Sequence, residues 1–511
     1  MATSLRALSL KGFLWSAGES VGVALASFAS FLVMARALEP KDFGIVALAG
    51  VFVFFLNLIT GHGVADAIVQ RLRLEPDHLD TAFWSALGLA LVLMGLCQGA
   101  AGMVGALFGE PALAEVLVWL SLSLPLGALG SVPLALSRRD MRFQIAAACG
   151  VAGRLAGAAV GIVMALTGFG LWSLVGQQLV GVLVSSMAIV WAADWRPRLR
   201  FSTRHLRDIW AFGFHVSAAQ VVTGAGEQVL NLLIGTLFGT TALGYFNVAW
   251  RMVQLIRSVI GSAVYHVGLS AFAKLQEDRA AVARAFLDAT RLSCLVGFPI
   301  GAGLALLGEP LLVALFGAKW QASAPLLMVL AIEMIPAFYG MFLSALYRAM
   351  GRAAWVLGMA LLYFGVGLAG VLALAPFGVL AIAAFWVARA WLLMPLHVAL
   401  VARLLATPAL GVARPGLAPL VATLAMAAGL LVLRFELAGL ELGPLATLAV
   451  FVPAGALLYV LAIRVTAPEL TGMAIRTVRL MVAPAPKAPP AAPDATAPRD
   501  AGGPVQGWRG R

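Results

Sequence analysis

About fourteen apolar stretches, most of them near 20 residues long, follow one another through this chain with short polar breaks between them, and that pattern dictates its fold class. Lipid offers backbone N–H and C=O groups no partners, so a chain that crosses a bilayer repeatedly does so as helices or as a closed barrel. Barrel strands would show segments of about ten residues with alternating polarity. The Leu, Ala, Val and Gly runs here carry no such alternation and read as helices. Composition agrees, since 62% of the 511 residues are hydrophobic and 11% charged, against roughly 25% charged in soluble domains. The expected fold is an all-α polytopic membrane protein.

The spans fall near residues 14–35, 45–61, 82–108, 113–137, 144–164 and 171–193, then 210–237, 245–272, 292–307, 325–349, 355–375 and 379–400, with two more at 417–433 and 445–463. This placement makes the positive charge strongly one-sided. Of the 35 Lys and Arg, 27 lie on one side: the N-terminus (Arg6, Lys11), the even-numbered loops such as Arg138 to Arg142, the stretch with Arg196, Arg198, Arg200, Arg204 and Arg207, and the tail. Four lie on the other side (Arg36, Lys41, Lys319, Arg434) and four inside spans (Arg154, Arg251, Arg257, Arg389). By the positive-inside rule the rich side is cytoplasmic and holds both termini. The net charge of +12 is this orientation signal rather than a nucleic-acid footprint, because the charges are scattered over loops. The first apolar stretch is too long for a cleavable signal and reads as a retained helix. Cys97, Cys149 and Cys294 stand alone without metal spacing and read as packing residues. The Pro/Ala-rich tail from about residue 483 lacks apolar periodicity and reads as disordered.

Loop landmarks reveal an internal repeat of about 200 residues. Gly44 in Asp42-Phe43-Gly44-Ile45 answers to Gly244 in Ala242-Leu243-Gly244-Tyr245. Gly109-Glu110-Pro111 follows Gly44 by 65 residues, and Gly308-Glu309-Pro310 follows Gly244 by 64. Gly170 and Gly378, each after a Phe, open the sixth helix of each half. The expected organisation is a six-helix lobe over 1–194, a basic linker over 195–208, a second six-helix lobe over 209–405, two further helices over 406–465 and a tail over 466–511. Six is even, so the lobes share one orientation and are related by a pseudo-twofold axis along the membrane normal.

Charges inside spans are costly and mark pathways. On the seventh span Gln220, Gly224, Glu227 and Asn231 fall within an arc of about 60°, and on the eighth Asn247, Arg251, Gln254, Arg257, Ser258 and Gly261 span about 120°. Two polar faces on adjacent helices suggest a hydrated cavity. The plainer alternative is a buried bridge from Glu227 to Arg251 or Arg257. Gly153, Gly157 and Gly161 form a packing stripe, Pro125, Pro133, Pro299 and Pro336 mark kinks, and 274–291 has the charge pattern of an amphipathic surface helix with Phe286 and Leu287 as apolar contacts. His215, His266 and His397 read as core or interfacial residues.

The opening Gly12-Phe13-Leu14-Trp15-Ser16, the hairpin Arg36-Ala37-Leu38-Glu39-Pro40-Lys41-Asp42-Phe43-Gly44, and His78 with Ala82-Phe83-Trp84 resemble the polysaccharide biosynthesis proteins, the O-antigen and exopolysaccharide flippases of the multidrug/oligosaccharidyl-lipid/polysaccharide exporter superfamily. The resemblance covers residues 10–465. It implies alternating-access transfer of an undecaprenyl-pyrophosphate-linked oligosaccharide across a bacterial inner membrane, with polymerase and export machinery as candidate partners. For such a cargo Arg is the fitting ligand, because its planar fork meets phosphate oxygens bidentately and stays charged. Arg251, Arg257 and Arg389 are then the expected head-group ligands, with Arg154, Gln220, Asn231 and Gln254 beside them, and Glu227, Glu19 and Glu333 the ion-coupling candidates. Arg154 and Glu19 also read as interfacial residues.

Two other readings stand beside this one. A drug or organic-cation antiporter of the same superfamily would share the fold, but four intramembrane arginines repel a cationic cargo. An integral-membrane glycosyltransferase or polymerase would need a sizeable external loop, whereas the longest here is expected to span about 18 residues from Gly308. No nucleophile–base pair, metal cluster or nucleotide-binding loop is legible, so no cofactor is expected. Glu39 and Asp42 are expected to pair locally with Arg36 and Lys41.

Overall fold

The computed structural model describes residues 26–70, 75–274 and 278–469; the side chains at 61–67, 70, 76, 207–223, 259–274 and 353 lie outside that description. Among the described residues twelve helices are long and apolar enough to cross a membrane. One of them lies in Thr203–Lys274 and turns back at Gly239, whose φ of 82° and ψ of 173° suit glycine alone, so it counts as two: α7 (203–238) and α8 (240–274). The shorter apolar helix Ala26–Ala37 (α1) completes fourteen, as the apolar runs predict. The remaining helices are α2 (Pro40–Gln70), α3 (Pro76–Leu107), α4 (Pro111–Arg139), α5 (Phe143–Leu166), α6 (Trp172–Ala192), α9 (Arg279–Phe316), α10 (Ala318–Ala349), α11 (Ala353–Leu374), α12 (Val379–Leu405), α13 (Ala409–Glu436) and α14 (Pro444–Thr466).

Helices α1–α6 build one lobe and α7–α12 the other, while α13 and α14 pair with each other and lie against α9. Within the first lobe α5 and α6 come close because the glycine stripe leaves room: side chains at Gly153 or Gly157 would run into the Gly181 and Gln177 carbonyls of α6. Helices α4 and α10 are both broken, and for the same reason. Pro125 has no N–H for the Ser121 carbonyl and Pro336 none for the Ile332 carbonyl, so each carbonyl takes a tighter bond instead, from Leu124 at 3.0 Å and from Ile335 at 3.2 Å.

The repeat is built into the contact between the lobes. A Cβ on Gly44 would overlap the Thr240 carbonyl oxygen, and one on Gly244 would overlap the Pro40 carbonyl oxygen. The start of α2 and the start of α8 thus interlock reciprocally, and only glycine permits it. The later landmarks need one correction. Gly109, at φ 65°, sits in the turn before α4, but Gly308-Glu309-Pro310 lies inside α9, which runs on to Phe316; the glycine that plays Gly109's part in the second lobe is Gly317, at φ 95°. The expected 18-residue loop is therefore mostly helix, with the 3-10 turn Ala318–Ser323 before the main part of α10.

A second correction concerns 274–291. From Arg279 onward this stretch is the first part of α9 rather than a separate surface helix, and Phe286 is buried with Phe342, Leu346, Tyr347, Val401 and Val412.

Candidate functional site between the two lobes

On the arginine-poor face the lobes are sealed by side chains that cap one another's helices. Arg36 donates to the Leu315 and Ala314 carbonyls at 2.6 and 3.0 Å, at the end of α9, where helix C-termini favour cations. In return Lys319 donates to the Arg36 and Leu38 carbonyls at 2.9 and 2.6 Å, and the buried Trp320 indole to the Ala35 carbonyl at 2.7 Å, at the end of α1. Lys41 pairs with Glu110 at 2.9 Å, and Glu110 accepts from Thr240 at 2.9 Å. The expected local pairing of Glu39 and Asp42 with Arg36 and Lys41 is thus replaced by contacts made mainly across the fold: Lys41 reaches Glu110, Arg36 reaches α9, Glu39 lies 3.8 Å from Lys319, and Asp42 accepts the Glu39 amide. Below this polar layer Phe31, Phe43, Phe316 and Trp320 meet edge to face.

Beneath the seal lies a cavity of about 1000 Å³ lined by both lobes. From the first lobe come Asn57 of α2, Arg154 of α5 and Gln177, Gln178 and Ser185 of α6; from the second come Glu227, Gln228 and Asn231 of α7 and Asn247 and Arg251 of α8. Arg251 lies 5.7 Å from the Phe31 ring, and among the described residues neither it nor Arg154 forms an ion pair. Glu227 accepts the Trp250 indole N–H at 2.9 Å, so the expected bridge to Arg251 or Arg257 gives way to a neutral donor. Asn247 donates to the Leu243 carbonyl at 3.1 Å and reaches Asn231 at 3.5 Å.

The other candidates lie elsewhere. Arg257 is 3.5 Å from Glu333 in a second cavity, of about 440 Å³, inside the second lobe between α8, α10, α11 and α12. Tyr339, Tyr347, Tyr363 and His397 line it too, with Tyr347 Oη and His397 Nδ1 3.2 Å apart. Glu333 stands where Pro336 breaks α10, and its Oε2 is buried without a partner. Arg389 is buried; it donates to the Tyr363 carbonyl at 2.8 Å and its guanidinium lies 3.6 Å from the Trp386 ring centre. Gln254, half-buried between Arg251 and Arg257 on α8, lines neither cavity. Glu19 and the side chains of Gln220, His215 and His266 lie outside the described residues.

Arg154, Arg251, Glu227 and Asn231, all named from sequence, line one cavity, together with the neutral amides Asn57, Gln177, Gln178 and Gln228, which the sequence reading did not name. Their signal was available: each is an amide inside an otherwise apolar span.

Residues 33–325 match the family described as polysaccharide biosynthesis protein. The chain belongs to that family. It is 30% identical over 320 residues to the succinoglycan biosynthesis transport protein ExoT of Rhizobium meliloti (strain 1021), covering 62% of this chain and 65% of that one. It is 24% identical over 355 residues to the lipopolysaccharide biosynthesis protein WzxC of Escherichia coli (strain K12), covering 68% and 71%. The teichuronic acid biosynthesis protein TuaB of Bacillus subtilis (strain 168) is 23% identical over 363 residues, covering 69% and 74%. The match thus spans just under two thirds of ExoT's length. Among solved structures, the lipid II flippase MurJ in an inward closed conformation superposes with a TM-score of 0.73 at 16% identity, covering 88% of this chain and 100% of that one. An inward-facing multidrug resistance MATE family transporter gives 0.56 at 18% identity, covering 77% and 99%. Both share the fold of two lobes. The chain is a multi-pass membrane protein of polysaccharide biosynthesis, and its named relatives include a transport protein.

Proposed function

We propose that this protein is a flippase that moves undecaprenyl-pyrophosphate-linked oligosaccharide units across the bacterial inner membrane for surface polysaccharide synthesis, by alternating access of its two lobes. The observation that carries this reading is the large cavity between the lobes, with one arginine from each, Arg154 and Arg251, neither in an ion pair among the described residues, while the carboxylate in the lining, Glu227, accepts from the Trp250 indole. Two guanidinium forks free of ion pairs suit a diphosphate, which accepts several charge-assisted hydrogen bonds. The amides of Asn57, Gln177, Gln178, Gln228, Asn231 and Asn247 donate and accept at once, as sugar hydroxyls require. The names of ExoT, WzxC and TuaB place such relatives in the making of three different polysaccharides, which fits one shared carrier chemistry with variable sugars.

In this reading the arginine-rich face is cytoplasmic, both termini lie there, and the sealed face opens to release cargo. Parting the lobes exchanges the caps of Arg36, Lys319 and Trp320 for water. Glu333 and Glu227 are the ion-coupling candidates inside the described part, with Glu19 a third beyond it. Arg257 serves the second lobe's own cavity rather than the shared one, and Arg389 is packed between helices of that lobe.

The test is deletion of the gene in its host, with the lipid-linked oligosaccharide pool measured by mass spectrometry. A complete oligosaccharide accumulating on its lipid carrier in the cytoplasmic leaflet is the expected result. An unchanged pool with altered drug sensitivity would replace this reading with the organic-cation antiporter.

A further inference from the structure

The segment that joins α6 to α7 does not hang free but is fastened along the start of α3. The Arg198 amide donates to Asp80 at 3.1 Å, the Trp84 indole to the Arg198 carbonyl at 2.8 Å, the Ser202 amide to Thr81 at 3.1 Å, and Arg200 pairs with Asp77 at 3.1 Å. This fastening brings His205, in the first turn of α7, onto His78, in the first turn of α3, with ring centres 4.0 Å apart. Glu75, the residue that caps α3, lies beside them with its carboxylate 3.6 Å from His205 Nε2. One ligand atom from each of the three residues falls within 4.8 Å of the other two.

We propose that Glu75, His78 and His205 form a binding site for one divalent transition-metal ion of zinc's class. Two imidazoles and one carboxylate are the donor set such ions take, whereas magnesium and calcium require oxygen ligands throughout. A tetrahedral ion holds N and O ligands at about 2.0–2.2 Å and thus about 3.3 Å from one another, so the three groups close in by small side-chain rotations. Glu75 is exposed, which leaves the fourth position to water, and His205 Nδ1 is buried with no hydrogen-bond partner. His78 Nδ1 accepts the Glu75 amide at 3.3 Å, a long bond that ligation replaces. Two helix N-termini meet here and repel a cation, and Asp77 and Asp80 offset them. Sequence spacing concealed the group, since His205 lies far along the chain from Glu75 and His78.

A bound ion ties the first lobe to the entry of the second on the face opposite the seal, and so restrains their parting there. The experiment uses the full-length protein in lipid nanodiscs, titrated with Zn²⁺ and, for its visible spectrum, Co²⁺. The expected result is one equivalent bound, with tetrahedral Co²⁺ bands, and binding weakened at least about tenfold in His78→Gln and in His205→Gln, since even outer-shell changes reach that size. Glu441→Gln, at an exposed carboxylate in the loop between α13 and α14, is expected to bind as the unchanged protein does, and metal-free melting curves show that the His variants remain folded. Absence of stoichiometric metal in the unchanged protein, or equal affinity in both folded His variants, overturns the site.

Discussion

The two cavities on either side of α8 hold similar residues and put them to different use. In the shared cavity Arg154 and Arg251 face an open volume lined mostly by neutral amides, with the Glu227 carboxylate already taken up by the Trp250 indole. In the second lobe the arginines already have company: Arg257, in that lobe's cavity, has Glu333, and Arg389, packed beside it, has the Tyr363 carbonyl and the face of Trp386. An intramembrane cation that is already matched builds its own lobe, while one left without an ion pair between two lobes waits for an anion. The difference separates a place for cargo from a framework that holds the lobe in shape or carries a coupling ion.

The largest effect should come from emptying the shared cavity of positive charge. A hydrogen bond to a charged group contributes roughly 1.5–3 kcal/mol, so Arg154→Ala and Arg251→Ala are each expected to weaken cargo binding about 10- to 100-fold, and the pair to abolish transport, without loss of membrane insertion. Transport assays in membrane vesicles check this. If Arg257→Ala and Arg389→Ala proved equally severe at the binding step, the contrast between the cavities would fail.

Next comes the contact that makes the cavity shared at all. Gly44→Val or Gly244→Val forces a side chain into a backbone carbonyl, an overpacking that costs about 1–3 kcal/mol or more. A lower melting temperature and easier labelling of a cysteine placed beneath the seal are the expected readouts.

Inside the second lobe the expected signature is one of mutual dependence. Arg257→Ala leaves Glu333 without its partner and should destabilise more than the double change Arg257→Ala with Glu333→Ala, because one uncompensated buried charge costs more than none. A double-mutant cycle on thermal unfolding measures it, and simple additivity would show that the pair does not act together. The smallest effect is assigned to the amides: Gln178→Ala or Asn57→Ala should lower transport a few-fold, with a change in sugar preference rather than loss of head-group binding.

Much of this was legible beforehand. The apolar runs and the one-sided arginines give fourteen helices in two lobes because lipid leaves the backbone no other choice. The breaks in α4 and α10 could be foreseen at Pro125 and Pro336, since a missing N–H acts locally. Gly44 and Gly244 were visible as a repeat but not as an interlock, because a match in sequence does not say that two glycines touch. The partition of α8 was half visible. Arg251 and Arg257 lie about 120° apart around the helix, too wide for one narrow surface, yet only packing shows that Arg257 turns toward Glu333. The caps formed by Arg36 and Lys319 were hidden for a related reason: their acceptors are main-chain carbonyls, which no side-chain pattern announces.

The most direct measurement is translocation in proteoliposomes. Purified protein is reconstituted with a fluorescent oligosaccharide on undecaprenyl diphosphate, and a membrane-impermeant quencher reports which leaflet holds it. Transfer by the unchanged protein, reduced in the Arg154→Ala, Arg251→Ala protein to the level of empty vesicles, is the expected result. Transfer by the unchanged protein no faster than in empty vesicles, or undiminished transfer without both arginines, would contradict the assignment of the shared cavity as the cargo's path.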